Sequence, residues 1–253
     1  MLTIILHTLE TATPALKSAQ WRKVRPGNRI LLSGAALSFG FFASKLAPTE
    51  VPYSGVMVGA DDGGLNMTLT VDTLLELAMA NPINAQITAR LPELGVQQCM
   101  LTAGCLFQAV WNHQANLPAA QGVKDYDVFY FDEDLSYEAE DAVIRAAQVL
   151  FQDLGVNVEV RNQARVHLWY GQRFGRPYPQ LHSARQGVDR YLVARTCIAP
   201  DIASGEVYAP YGLEDVEQGV LRINPLHPEP ALFLHKARSY QARWPWLKIV
   251  EPG

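Results

Sequence analysis

Two carboxylates one residue apart carry the clearest chemical signal in this sequence. Asp125 and Asp127 lead into the apolar, aromatic run Val128–Phe131. Such residues favour a strand, in which residues i and i+2 project from the same face. Two carboxylates on one face repel each other unless a cation lies between them, and Mg²⁺ prefers oxygen ligands. The pair therefore predicts a divalent-metal site, with a solvated strand start as the alternative.

A third acid and a strand–glycine–helix junction accompany this pair. Asn157–Arg161 alternates apolar and polar residues, which predicts a half-buried strand with Glu159 on its polar face. Cys99–Ala103 predicts a short strand that runs into Gly104, and Cys105–His113 then has helical spacing. Such a junction places the backbone N–H groups of a helix N-terminus at the end of a strand. This position favours a phosphate.

Strands and helices alternate along the rest of the chain, which predicts an α/β (α+β) class with a central mixed sheet flanked by helices. Asn81-Pro82 and Ser136 are expected to begin two of the helices. Helical spacing covers residues 71–80, 83–91, 105–113, 136–151, 183–192, 212–221 and 230–244. Strand-like patterns cover residues 99–103, 125–131, 157–161, 165–170, 196–199 and 207–211.

The composition of the chain argues against several classes of protein, namely general nucleic-acid binders, disulfide-rich proteins and zinc ribbons. The chain has 253 residues, of which 49% are hydrophobic, so it can bury a sizeable core. Its net charge of −4 gives no general basic field, so there is no strong nucleic-acid signature. Its three cysteines form no C-x-x-C pair, which argues against a disulfide framework or a zinc ribbon and predicts a reducing, cytoplasmic location.

The N-terminal quarter differs from the rest of the chain. A basic cluster at residues 22–29 precedes the apolar stretch Ile30–Ala47, an order typical of a signal anchor. That stretch begins far from Met1 and contains serines and a lysine, so we do not expect membrane association. We predict that residues 1–66 are a poorly ordered extension or follow an upstream start, with Met57 and Met67 as internal starts. Residues 67–253 form the predicted working domain.

The order of motifs resembles the polymerase-β-type nucleotidyltransferase superfamily, with its glycine turn, Asp-x-Asp strand and third acid on a neighbouring strand. The closer resemblance is to a bacterial nucleotidyltransferase-like family. It rests on Ala-Gly-Cys-Leu-Phe-Gln-Ala-Val-Trp-Asn (103–112) and Lys-Asp-Tyr-Asp-Val-Phe-Tyr-Phe-Asp (124–132), and on residues 158–170, 208–213 and 242–245. The match covers residues 69–245.

This resemblance implies a nucleotidyltransferase fold and a Mg²⁺- or Mn²⁺-dependent reaction. A nucleoside triphosphate would give its nucleoside monophosphate to an unknown hydroxyl acceptor, with release of pyrophosphate. Asp125, Asp127 and Glu159 would be the catalytic and metal-binding residues, holding two ions about 3.5–4 Å apart. The residues expected to bind the nucleotide are Gly104, Cys105, Lys124, Arg161, Arg165 and His167.

Several alternatives stay open at this point. Cys105 occupies the place of the usual serine, so backbone amides would bind the phosphates. Lys124 and Arg161 could instead neutralise the acids, and Arg165 and His167 could form a structural hydrogen-bonded pair. The rival functions are a catalytically weak or inactive nucleotide-binding regulator or scaffold of the same fold, and a metal-dependent phosphohydrolase.

Overall fold

A three-stranded mixed sheet forms the centre of the fold. A computed structural model of the chain describes residues 68–253. The sheet order is β1 (Met100–Thr102), β2 (Asp125–Tyr130) and β3 (Asn157–Asn162). β2 lies in the middle, antiparallel to β1 and parallel to β3. The expected mixed sheet with flanking helices is confirmed.

Eight α-helices and two small strand pairs surround this sheet in residues 68–253. The strand pairs are antiparallel β4 (Ala199–Pro200) with β5 (Val207–Tyr208), and parallel β6 (Val220–Leu221) with β7 (Lys248–Ile249). Short 3₁₀ turns occupy Leu91–Leu94, Gln152–Leu154, Gln163–Arg165 and Ala194–Thr196. The helices are α1 (Val71–Met79), α2 (Pro82–Arg90), α3 (Gly104–Gln114), α4 (Tyr137–Leu150), α5 (Val166–Phe174), α6 (Ala184–Val188), α7 (Glu214–Glu217) and α8 (Pro230–Gln241).

Side-chain hydrogen bonds cap the N-termini of two helices at the predicted residues. The Asn81 side chain accepts a hydrogen bond from the Ile83 N–H, with Pro82 as the first helical residue of α2. Ser136 accepts from the Ala139 N–H at the start of α4. Each of these bonds satisfies an N–H group that a helix leaves without an internal partner. Both predicted helix starts are confirmed.

The central strand separates two apolar clusters. Tyr126, Val128 and Tyr130 belong to the larger core, and Phe129, on the opposite face, belongs to a smaller one. The larger core joins β2 to α3 and to the C-terminal region through closely spaced rings, which are Phe107, Trp111, Tyr240 and Trp244. Because side chains alternate along a strand, Asp125 and Asp127 lie on the Phe129 face.

One predicted strand is a helix. The pattern at residues 165–170 suggested alternation, whereas the structure has the 3₁₀ turn Gln163–Arg165 followed by α5. Asn162 ends β3, since its side chain accepts from the Ala164 N–H and donates to the Asp132 carbonyl. Val166 and Tyr170 are both buried, and their i, i+4 spacing fits a helix as well as it fits alternation.

Other predicted elements are shorter than expected. The helix predicted over residues 212–221 is only α7, because Gly219, at φ +66°, turns the chain into β6. The helix predicted over residues 183–192 is α6 alone, and the strand predicted over residues 207–211 is only β5. The pattern at residues 196–199 is split between a 3₁₀ turn and β4.

The predictions for residues 1–66 and for the internal start at Met67 lie outside the described residues. Between residues 68 and 253, no helix is long and apolar enough to cross a membrane.

Candidate functional site

The register of the sheet brings two of the predicted acids together. Asp127 on β2 is the direct partner of Glu159 on β3 and of Thr102 on β1. In-register neighbours on adjacent strands project from the same face. Asp125, two residues before Asp127, projects from that face as well. All three carboxylates therefore lie on one side of the sheet, next to the end of β1.

Asp127 is the most buried of these acids, at 4% exposure. Burial raises the pKa of its carboxyl group, and the Glu159 and Asp125 carboxylates raise it further. The ammonium group of Lys236 acts in the opposite direction. A bound cation would relieve the cost of holding charge on this carboxylate.

The other two acids differ in their surroundings. Glu159 is half-buried, and its Oε2 atom is fully enclosed with no hydrogen-bond partner in residues 68–253. Asp125 is half-buried and accepts a hydrogen bond of 3.0 Å from the side-chain amide of Asn157. The structure thus brings Asp127 and Glu159 side by side, whereas Asp125 is bound to Asn157.

The fit of a metal to these residues can be judged from their donor atoms. Within the part of the chain that the structure describes, no three His, Cys, Asp or Glu side chains already form a group that could hold a metal ion. The donors are nevertheless all carboxylate oxygens, which suit Mg²⁺ or Mn²⁺, and the Glu159 Oε2 atom has an unused lone pair. Asp127 and Glu159 fit a divalent cation directly, and Asp125 fits after it leaves Asn157.

The strand–helix turn differs from the sequence-based interpretation in one respect. Gly104 is the first residue of α3, and the residue with positive φ is Ala103, at φ 66° and ψ −146°. Such dihedrals are essentially confined to glycine. At Gly104 itself the space is limited by a side chain, since a Cβ atom there would lie 2.2 Å from Nε2 of Gln108 and this side chain would have to move. The glycine-like backbone therefore belongs to the preceding position.

Cys105 is fully buried, and its thiol donates a hydrogen bond of 3.3 Å to the Thr102 carbonyl. Burial and the nearby Asp127 carboxylate raise its pKa well above the usual thiol value, so the group is neutral at physiological pH. The expectation that backbone amides bind the phosphates stays a prediction. Only the backbone N–H of Cys105, and not its side chain, is suited to such a contact.

The predicted basic residues separate into two groups. Lys124 directly precedes β2, and Arg161 lies two residues after Glu159 on the same face of β3. Arg165 is buried elsewhere, in an ion pair with Glu140, and its Nε atom donates to the Leu135 carbonyl. The structure gives Arg165 a structural contact instead of a place beside the acids.

His167 occupies the first turn of α5 and is half-buried. Its Nδ1 atom is enclosed without a hydrogen-bond partner among residues 68–253. Arg165 forms its ion pair with Glu140, and no hydrogen bond between Arg165 and His167 is seen in residues 68–253.

The sequence analysis missed a lysine in the C-terminal helix. Lys236 on α8 lines a pocket of about 310 Å³ together with Ala103 and Tyr191, and we call it the lysine pocket. The ammonium group lies 4.7 Å from the centre of the Tyr240 ring and makes no ion pair or hydrogen bond within residues 68–253. Burial and then Arg243 lower its pKa to about 7, against the opposing effect of Asp127.

Arg243 follows α8 and reaches the same region. Its Nη1 atom donates to the Gln108 side chain and to the Gly122 carbonyl, each at 3.1 Å. Gln108 is the residue that lies against Gly104, so Arg243 fixes the side chain that packs on the first turn of α3. No motif in the sequence marks Lys236. Arg243 lies within the family-like string 242–245.

A second, larger pocket of about 400 Å³ lies along β2 and β3. Asp127, Glu159 and Arg161 line one wall. The remaining wall is dominated by aromatic rings, so we call it the aromatic pocket, and these rings are Phe129, Trp169, Tyr170, Phe174 and Tyr178. The lysine pocket includes Ala103, the residue after β1, whereas Asp127 lines the aromatic pocket.

Comparisons with known proteins agree with this architecture. A family model described as "Nucleotidyltransferase" matches residues 89–249. The fold is similar to a solved structure whose description reads "The NMR structure of the protein reveals a CCA-adding enzyme head domain", with 23% identity and a TM-score of 0.58. That match covers 75% of this chain and all of the other.

A Thermotoga maritima CCA-adding enzyme complexed with tRNA also matches, with 13% identity and a TM-score of 0.43. This second match covers 70% of this chain and 42% of the enzyme. No curated protein matches the chain.

Proposed function

Because the chain belongs to the nucleotidyltransferase family, we propose that it transfers a nucleoside monophosphate from a nucleoside triphosphate to a hydroxyl acceptor. The observation that carries the proposal is the paired register of Asp127 and Glu159. Both residues line the aromatic pocket, and Asp127 pairs with Thr102, two residues before the first residue of α3. Such an arrangement offers anionic groups for a metal and cationic groups for phosphates within one site.

Asp127 and Glu159 would hold the divalent cation, with Asp125 as a further ligand once its side chain leaves Asn157. Bound Mg²⁺ or Mn²⁺ would offset the charge of the triphosphate and favour ionisation of the acceptor hydroxyl. Alternatively, if the two aspartates alone hold the cation, the Glu159 Oε2 atom, which has no partner in residues 68–253, can receive the hydroxyl proton.

The triphosphate would lie in the lysine pocket. The N–H groups of Gly104 and Cys105 open α3, and an anion is stabilised at such a helix N-terminus. Lys236 lines the pocket, and Lys124 is near enough to lower the Lys236 pKa. These groups together would neutralise the β- and γ-phosphates and the departing pyrophosphate.

The test compares the intact protein with Asp127→Asn, using Glu138→Gln as a matched control, because Glu138 is an exposed acid on α4. Calorimetry would measure binding of ATP, CTP, GTP and UTP with Mg²⁺ or Mn²⁺. We expect metal-dependent binding of at least one nucleotide, unchanged in Glu138→Gln and weakened at least tenfold in Asp127→Asn. Equal metal-dependent affinity in all three proteins would contradict the proposed metal site.

Product analysis separates the rival activities. Pyrophosphate that forms only when an acceptor is present indicates transfer. Nucleotide hydrolysis without any acceptor indicates a phosphohydrolase. Binding that persists in Asp127→Asn, with no turnover by the intact protein, indicates a regulator or scaffold.

A further inference from the structure

The aromatic pocket has the composition of a binding site for a flat molecule. The Tyr170 ring lies 4.6 Å from that of Phe174 and 4.4 Å from that of Tyr178, while Trp169 packs 6.1 Å from Tyr170. These contacts pack the rings on one another, while Trp169 and Tyr178 are half-buried and leave part of their surface facing the pocket, where a planar ring can stack. The pocket combines these rings with the polar side chains of Asp127, Glu159 and Arg161, a composition typical of small-molecule sites.

The segment that closes this pocket is held in place at both ends. Tyr178 belongs to the loop after α5, where it packs on Tyr170, and the Arg190 guanidinium lies 5.9 Å from its ring centre. Arg176, in the same loop, forms an ion pair with Glu229 at the start of α8. The ring wall is therefore built before any ligand arrives, which lowers the entropic cost of binding.

The position of the acids indicates which of the two substrates, the nucleoside triphosphate or the acceptor, would occupy the aromatic pocket. In-line displacement requires the attacking oxygen and the departing pyrophosphate to lie on opposite sides of the phosphorus. Lys236 and the N-terminus of α3 lie on the β1 side of Asp127, where the pyrophosphate would leave. The β3 side, with Glu159 and the aromatic pocket, is then the side of attack.

We propose that the aromatic pocket binds the acceptor, and that the acceptor is a small hydroxylated molecule with one planar aromatic or heterocyclic ring. This inference rests on the proposed nucleotidyl transfer. The ring lies against Trp169 and Tyr178, and the hydroxyl group points to Glu159. Arg161, half-buried in the same wall with no ion pair in residues 68–253, contacts a polar or anionic substituent of the ring.

The proposed transfer needs only the nucleoside triphosphate and the acceptor as reactants. The acceptor oxygen forms a bond to the α-phosphorus while the bond from that phosphorus to the bridging oxygen breaks. The electron pair leaves with pyrophosphate. The hydroxyl proton passes to Glu159 and then to solvent, so the products are the nucleotidylated acceptor, pyrophosphate and a proton.

The experiment uses the full chain without nucleotide. Adenosine and pyridoxine serve as flat probes, and ribose serves as a hydroxylated molecule without an aromatic ring. Saturation-transfer NMR and calorimetry would measure binding to the intact protein, Trp169→Ala, Tyr178→Leu and the control Tyr137→Ala, whose ring is 66% exposed on α4. Thermal melting verifies that each variant is folded, and Tyr178→Leu keeps apolar bulk if Trp169→Ala is unstable.

We expect at least one flat probe to bind, ribose not to bind, and the affinity of that probe to fall at least tenfold in both pocket variants but not in Tyr137→Ala. Binding of Mg²⁺ with each nucleoside triphosphate, measured in parallel, is expected to change less than twofold.

Three results would overturn the inference. The first is no binding of either flat probe, and the second is equal binding in the pocket variants. The third is competition between the probe and a nucleoside triphosphate, which would make the aromatic pocket the base site of the donor. If a short RNA bound in a Trp169-dependent manner while the free probes did not, a macromolecular acceptor would replace the small molecule. Failure of nucleotide binding in the intact protein would instead contradict the proposed function itself.

Discussion

Asp127 illustrates how a buried carboxylate can reduce the stability of its own fold. Its pKa is raised, first by burial and then by the carboxylates of Glu159 and Asp125, so the ionised form is disfavoured in the folded state. We therefore expect Asp127→Asn to raise the melting temperature at pH 7 in the absence of divalent metal, while it removes metal-dependent nucleotide binding. Calorimetric melting with EDTA would measure the first effect, and Glu138→Gln is the control.

The pH dependence of this gain has a definite sign. Since the folded pKa of Asp127 lies above its unfolded value, ionisation costs stability once the pH rises through the unfolded and then the folded pKa. Below both values the carboxyl group is neutral in either state, so the advantage of Asp127→Asn should disappear in acid. An advantage that grows as the pH falls would contradict this account.

Ala103 is the residue at which the backbone conformation disagrees with the side chain. Its φ of 66° and ψ of −146° are glycine-like, and such strain costs about 1–3 kcal/mol. Glycine loses more chain entropy on folding, about 0.5–1 kcal/mol relative to alanine. We expect Ala103→Gly to stabilise the protein by about 1 kcal/mol, or about 2–4 °C in melting temperature.

The matched control for Ala103→Gly is Ala142→Gly, at an exposed position within α4. It should destabilise by about 1 kcal/mol, because glycine is a poor helix residue. A fall in stability for both variants would show that Ala103 is not strained.

The connection from β3 to α5 depends on a buried ion pair. Arg165 contacts Glu140 on α4, and the other Glu140 oxygen accepts from the Asn162 N–H at 3.0 Å. Removing one partner of such a pair leaves a buried charge and costs about 3–5 kcal/mol. We expect Arg165→Met to lower stability by this amount, measured by urea unfolding.

Nucleotide affinity separates a structural role for Arg165 from a binding role. Well below the melting temperature, Arg165→Met should bind each nucleoside triphosphate within about twofold of the intact protein. The double variant Glu140→Leu with Arg165→Met removes both charges and should recover part of the stability. If Arg165→Met is well folded but binds nucleotide ten times more weakly, Arg165 contacts the nucleotide after all.

Elements with strong local signals were predictable from the sequence. The alternation around Glu159 gave the correct face of β3, and the Asn81 and Ser136 caps gave correct helix starts. The pattern at residues 165–170 misled because buried residues four apart suit a helix and a strand equally. The contact of Asp125 with Asn157 depends on the register between β2 and β3, which the alternation within either strand alone does not fix.

Tertiary packing, and not a local sequence pattern, brings α8 near the carboxylates of Asp125 and Asp127. The Tyr240 ring packs 5.6 Å from Phe107 and 5.3 Å from Trp111 on α3. Trp244 donates a hydrogen bond to Asn112 at the other end of α3. These contacts join segments more than 100 residues apart in sequence and carry Lys236 into the lysine pocket. The position of Lys236 could not be predicted from the sequence, because it depends on these tertiary contacts and not on a local motif.

If Lys236 binds the departing phosphates, its loss should affect triphosphates selectively. A charge-assisted contact of this kind contributes about 1.5–3 kcal/mol. We therefore expect Lys236→Met to weaken Mg²⁺-nucleoside triphosphate binding at least tenfold and to leave the nucleoside monophosphate nearly unchanged. The control is Lys248→Met, at an exposed position on β7.

The pH dependence gives the same prediction a second readout. The Lys236 pKa of about 7 means that the ammonium form is lost progressively as the pH rises from 6 to 9. A bound triphosphate stabilises that cation, so binding should take up a proton and affinity should fall over this interval. Lys236→Met should remove this part of the pH dependence, because no group then titrates at that position. If triphosphate affinity declined equally with pH in Lys236→Met and in the intact protein, the phosphates would have to lie away from α8.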